Sequence, residues 1–162
     1  MNWLTNFVRP TIRSLVRKRD IPDNLWVKCP GCEKMVFHRD LVANLHVCPH
    51  CEHHMRIGAR QRLSILFYRG EYDLIEVPPV LADPLKFRDS KKYAERLKEN
   101  RAKTGDDEAV LVAVGTMGRR NVVAAVQNFE FMGGSLGLAG GQAMVTAAEE
   151  AVARSAPLIA LS

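Results

Sequence analysis

The 162-residue sequence has no apolar run of the roughly 18–20 residues that a membrane-spanning helix needs. Its opening stretch, MNWLTNFVRPTIRSLVRKRD, lacks both a continuous apolar core and a small-residue cleavage site. It is also short and nearly free of serine, so it is expected to be a basic arm rather than a secretory signal or an organelle transit peptide. Outside residues 29–51 there is no cysteine. No Gly-Lys-Ser/Thr closes a Walker A loop, and no G-x-G-x-x-G leads to a ribose-binding acid. These absences leave a chain expected to be cytoplasmic, without membrane contact and without a recognisable nucleotide motif. At 47% apolar and 25% charged, it reads as globular.

All four cysteines lie in two Cys-Pro-x-Cys pairs, Cys29-x2-Cys32-x15-Cys48-x2-Cys51. Each pair forms a tight turn that aims two sulfurs at one point. The 15-residue insert is long enough for a hairpin that sets the second turn opposite the first. Four thiolates so placed make a closed tetrahedral zinc site, and a reduced cytosol disfavours the alternative of two disulfides. With no position left for water, the metal is expected to be structural. His38, His46, His50, His53 and His54 crowd the region but are not needed as ligands. Glu33 and Glu52 stand where such turns favour φ > 0. A left-handed Glu costs on the order of 1 kcal/mol, small beside the roughly 10–16 kcal/mol that a structural zinc supplies.

Residues 1–60 hold 10 Lys and Arg against 5 Asp and Glu, whereas residues 61–162 hold 13 of each. The basic excess suits a phosphate-bearing partner. It equally suits the local charge near −2 of four thiolates on one divalent cation, offset by Lys28, Lys34 and Arg39.

Beyond the cysteines, IGARQRLSILFYRGEYDLIE (57–76) reads as a short helix ending near Gly70 and then a strand. VPPVLADPLKF (77–87) is a proline-rich linker. DSKKYAERLKENRAKTG (89–105) is a helix, with Asp89 or Ser90 as cap and Gly105 as stop. Two nearly continuous apolar strands follow, about 108–116 and 121–129, joined by a turn. Their composition predicts a sheet covered on both faces. MGGSLGLAGG (132–141), an Ala-rich helix and the strand PLIALS (157–162) complete an α/β layer order. Glycines in that loop let something approach the backbone, and amides opening the next helix can hold an anion or a polarised carbonyl. On glycines alone, a packing loop and a ligand loop are equally supported.

Taken together and in this order, NLWVKCPGC…DLVANLHVCPHCEHHMRI, FEFMGGSLG and APLIALS resemble the carboxyltransferase β subunits of bacterial and plastid acetyl-CoA carboxylase, from about residue 22 onward. The resemblance implies a crotonase-like α/β fold preceded by a four-cysteine zinc ribbon. It implies transfer of a carboxyl group from carboxybiotin, carried on the biotin carboxyl carrier protein, to acetyl-CoA, giving malonyl-CoA for fatty-acid synthesis. The implied partners are the carboxyltransferase α subunit (an α2β2 assembly), the carrier protein and a biotin carboxylase that consumes ATP at its own site. Gly133, Gly134 and Ser135 are implied to lie near the CoA-binding region.

The expected domains are a basic arm (1–24), the zinc ribbon (25–57), a helix with proline-rich linker (58–88) and an incomplete crotonase-like domain (89–162). The family continues after PLIALS into a Gly-Gly-Ala-Arg oxyanion loop. This chain is therefore expected to be a fragment, inactive alone and poorly soluble without a partner. The competing readings are a nucleic-acid-binding zinc ribbon and a purely structural adaptor. Only Phe37 lies between the cysteine pairs and Trp26 just before them, few aromatics for stacking on bases.

Overall fold

A computed structural model describes residues 25–162; the expected basic arm lies outside them. The chain divides into two compact units between Met55 and Arg56. In the first, β1 (Trp26–Lys28) pairs antiparallel with β2 (Met35–Phe37), and α1 (His38–Ala43) follows directly. The insert between the cysteine pairs is thus strand and helix rather than a hairpin, because β2 finds its partner in β1, ahead of the first pair. The core is small: Val36 and Leu41 with the sulfurs of Cys29 and Cys48, edged by Val27 and Met55. So few apolar side chains cannot offset the entropy of ordering thirty residues, and a metal must supply the balance.

The second unit is built on one four-stranded sheet in the order β3-β4-β5-β6. Its elements are α2 (Ala59–Leu66), β3 (Tyr72–Leu74), α3 (Tyr93–Thr104), β4 (Val110–Met117), β5 (Arg120–Gln127), α4 (Leu138–Ala153) and β6 (Leu158–Leu161). Strands β3, β4 and β5 are antiparallel neighbours, and β6 returns parallel to β5 after α4. A two-residue turn joins β4 to β5, with Met117 opposite Arg120 and Gly118 at φ 63°. Glycine at the first central position gives the backbone twist that tight hairpins need.

The sheet is covered on both faces, as its apolar strands predict, and residue parity in β5 decides which face each side chain joins. Val122, Ala124 and Val126 pack with Ala59, Leu63 and Phe67 of the α2 region. Val123 and Ala125 pack against Ala143, Ala147 and Ala151 of α4. The alanines let α4 lie close to the strands. Helix α3 contributes Leu97 to a separate cluster with Ala109 and Phe131.

Two boundaries differ from expectation. Helix α3 begins at Tyr93 and not beside Asp89, whose Oδ1 instead accepts from the Lys91 amide and pairs with Arg96; no side chain caps the helix. Gly105, at φ 72°, ends it as expected. Helix α4 begins at Leu138, so Gly140 and Gly141 lie inside its first turn. Buried Gly140 has Leu136 and Val110 against the position of a side chain, and close packing explains a glycine at that point. Among the described residues no helix is long and apolar enough to cross a membrane.

Candidate metal centre and glycine-rich turn

The four cysteine sulfurs converge in the first unit. They all lie within 4.8 Å of one another, with Cys29 and Cys51 at 3.6 Å and Cys32 and Cys48 at 3.8 Å. A tetrahedral site with Zn–S bonds of about 2.3 Å sets its sulfurs roughly 3.8 Å apart. The donor set therefore fits zinc in both chemistry and size. All four cysteines are free thiols, not disulfides.

Two turns of the same construction present these sulfurs, the second nineteen residues after the first. The Cys29 amide donates to the Lys34 carbonyl and the Glu33 amide to the Cys29 carbonyl, each at 2.9 Å. The Cys48 amide donates to the His53 carbonyl and the Glu52 amide to the Cys48 carbonyl, again at 2.9 Å. Antiparallel pairs close both turns, Lys28 with Met35 and Val47 with His54. Glu33 and Glu52 take φ of 61° and 60°, the left-handed conformation expected from their place in the turn.

The electrostatics also ask for a cation. Burial works to raise the Cys29 thiol, but amides of Cys32 and Gly31 and the thiols of Cys48 and Cys51 outweigh it and bring Cys29 down to about 6. At Cys51 the His53 amide lowers the thiol, while burial and the three other sulfurs push it up to about 12. One thiolate forms readily and the last forms only beside a bound cation. No histidine joins the cluster. His38, His50, His53 and His54 are exposed, and His46, half-buried, is held below its usual range by burial and by His38.

In the second unit, Gly133 and Gly134 lie in a single 3-10 turn, Met132–Gly134, between β5 and α4. Their φ values are 68° and 75°, the region open to glycine at no steric cost. Gly133 is exposed, Gly134 is buried and its carbonyl accepts from Gln127 Nε2, and Ser135 is exposed on the approach to α4. The polar frame that holds this turn escapes a reading of the residues in chain order. Buried Asp106 accepts from Asn128 Nδ2 at 2.9 Å and pairs with Arg60 at 2.7 Å. The Asn128 amide bonds the Ala109 carbonyl, and Asn100 Oδ1 accepts from the Met132 amide at 3.1 Å. One signal was available: Asn128 interrupts an apolar strand at its end, where a buried polar group must find partners.

Comparison with known proteins bears on both sites. Residues 26–51 match the acetyl-CoA carboxylase zinc finger domain family. Over all 162 residues the chain is 54% identical to the acetyl-coenzyme A carboxylase carboxyl transferase subunit beta of Dinoroseobacter shibae, covering 51% of that protein. It is 52% identical over 162 residues to the subunit of the same name from a Jannaschia species, covering 51% of it, and 51% identical over 162 residues to that of Bartonella quintana, covering 53%. The nucleic-acid reading is not favoured by these names. The chain spans about half the length of the curated relatives it matches, and along all of its own length it is similar to proteins named acetyl-coenzyme A carboxylase carboxyl transferase subunit beta.

Proposed function

We propose that this chain serves as the β subunit of a biotin-dependent acetyl-CoA carboxyltransferase, or as part of one. The carboxyl group of carboxybiotin passes to the methyl carbon of acetyl-CoA, giving malonyl-CoA for fatty-acid synthesis. The observation that carries this reading is 50–54% identity over 98–100% of the chain to relatives that bear that name. The reading brings a crotonase-like fold for the second unit, an α subunit, a biotin carrier protein and an ATP-consuming biotin carboxylase as partners, and a cytoplasmic location. It also keeps the expected domain division at residues 24, 57 and 88.

The chemistry explains why a glycine-rich turn suits the task. Removing a proton from the acetyl methyl group leaves an enolate, whose charge falls on the thioester oxygen. Backbone amides aimed at that oxygen stabilise it, and losing one such donor typically costs about 2.7–4 kcal/mol. Gly133, Gly134 and Ser135 are the residues of this chain we assign to the CoA-binding region. Bare backbone there admits a close approach, and the opening amides of α4 have no partner within the helix. Zinc, held by Cys29, Cys32, Cys48 and Cys51, supplies folding energy and no open coordination position.

A chimera tests the reading. These 162 residues would replace the matching half of a curated relative, and the product would be assayed with the α subunit and a biotinylated carrier. Acetyl-CoA-dependent formation of malonyl-CoA is expected. The 162 residues alone are expected to be inactive. A folded, zinc-loaded chimera without transfer activity would overturn the reading.

A further inference from the structure

Three consecutive residues between β5 and α4 stand in left-handed backbone: Met132 at φ 49°, Gly133 at 68° and Gly134 at 75°. The two glycines adopt it freely, but Met132 carries a β-carbon that this conformation crowds. A residue of that kind keeps such a φ only where its surroundings determine it from several sides.

Phe131, buried with Leu97 and Ala109, fixes the entry to the turn. At the exit, the Gly134 amide donates to the Phe131 carbonyl at 2.8 Å, and Gln127 Nε2 donates to the Gly134 carbonyl. The crowded residue itself is reached from α3, where Asn100 Oδ1 accepts from the Met132 amide across 32 positions of sequence. A second bond fixes the orientation of the Asn100 carboxamide, since its Nδ2 donates to the Arg96 carbonyl at 2.8 Å. The backbone of Asn100 is tied to the other arm of the polar frame. Thr104 Oγ1 donates to the Asn100 carbonyl at 2.9 Å and accepts from the Asp106 amide at 3.2 Å, and Asp106 in turn holds Asn128.

We infer that Asn100 is a positioning residue: through the Met132 amide it imposes the left-handed geometry on which the working shape of the glycine-rich turn depends. In the carboxyltransferase reading, on which this rests, amides of that turn meet the charge of the enolate. Asn100 acts through Met132 and not on the substrate. The enolate charge appears only after proton removal, so displacing its donors lowers kcat more than it raises KM.

A double-mutant cycle on the chimera tests this, with Asn100→Ala, Met132→Gly and the two combined, each assayed with the α subunit and a biotinylated carrier. Alanine is a better helix former than asparagine, so α3 should persist in the variants. Asn100→Ala is expected to lower kcat roughly 10- to 100-fold, with KM for acetyl-CoA nearly preserved. On the Met132→Gly background the same substitution should cost far less, because glycine takes the left-handed conformation unaided. Hydrogen exchange at the residue 132 amide gives a readout free of activity. Loss of Asn100 should speed it roughly 10-fold or more, while amides of β4 and β5 keep their rates. An unchanged kcat in an active chimera, an unchanged exchange rate at residue 132, or equal losses of kcat on the two backgrounds would each overturn the inference. A folded, zinc-loaded chimera that shows the exchange effect but no transfer activity would sustain Asn100 as the residue that shapes this turn and remove the carboxyltransferase reading.

Discussion

Gly115 of β4 provides the space that the ring of Phe67 occupies: a β-carbon on Gly115 would stand 2.6 Å from Phe67 Cδ1. The ring is 3% exposed and belongs to the core on the α2 face of the sheet. Gly115→Ala should therefore overpack this core, at a cost of about 1–3 kcal/mol. Phe67→Leu in the same chain should recover part of that loss. Denaturant unfolding of both single variants and the double variant measures the coupling. Simple additivity would show that the new methyl group meets something other than the ring.

Zinc content is expected to be one ion per chain, and a chelator should unfold the first unit. Its core holds few side chains besides two cysteines, so the roughly 10–16 kcal/mol from a structural zinc has no substitute. Cys48→Ser should act in the same direction as chelation. Hydrogen exchange provides the readout. Amides of residues 25–55 should lose protection while those of β4 and β5, which have their own cores, keep it. Protection of the ribbon amides that survives chelation would refute a metal-dependent fold.

Glu108 gives a signed pH dependence. Burial raises its carboxyl above the usual range, and Arg101, 3.4 Å away, only partly counters this. The folded state thus holds this proton more tightly than the unfolded state does. The group's contribution to stability falls as pH rises from the unfolded value through the folded one. Glu108→Gln should accordingly stabilise the protein at pH 7 and change little at pH 3. Urea midpoints at the two pH values decide it, and a loss of stability at pH 7 would show that the Arg101 pair dominates.

Gly134 tests the proposed CoA region from the backbone side. A β-carbon there would lie 3.3 Å from Gln127 Nε2, at a φ of 75° that other residues rarely adopt. Gly134→Ala should shift the turn and lower kcat/KM of the chimera by roughly 10- to 100-fold, with zinc content unchanged. A variant with full transfer activity would place the reaction away from this turn.

Much of this architecture was legible because it rests on local signals. Cysteine spacing foretold the convergence of four sulfurs, apolar runs marked β4 and β5, and Gly105 marked the end of α3. What escaped depends on contacts distant in sequence. Asp89 is a plausible helix cap until Arg96, one turn into the helix, is seen to claim its carboxylate. Gly140 and Gly141 read as loop because glycine is a poor helix former, yet tight packing around Gly140 outweighs that preference. Asp106 and Asn128 are twenty-two positions apart, and nothing local announces that they meet.

Strand β5 separates two cores that share one stretch of backbone. Substitutions on one face can accumulate without disturbing the other, provided their volume is conserved. A change in length cannot: deleting one residue between Val122 and Val126 would rotate every later side chain to the opposite face and break both cores at once. Over evolutionary time this strand should vary in composition and hold its length, with insertions and deletions displaced to the segments on either side of it.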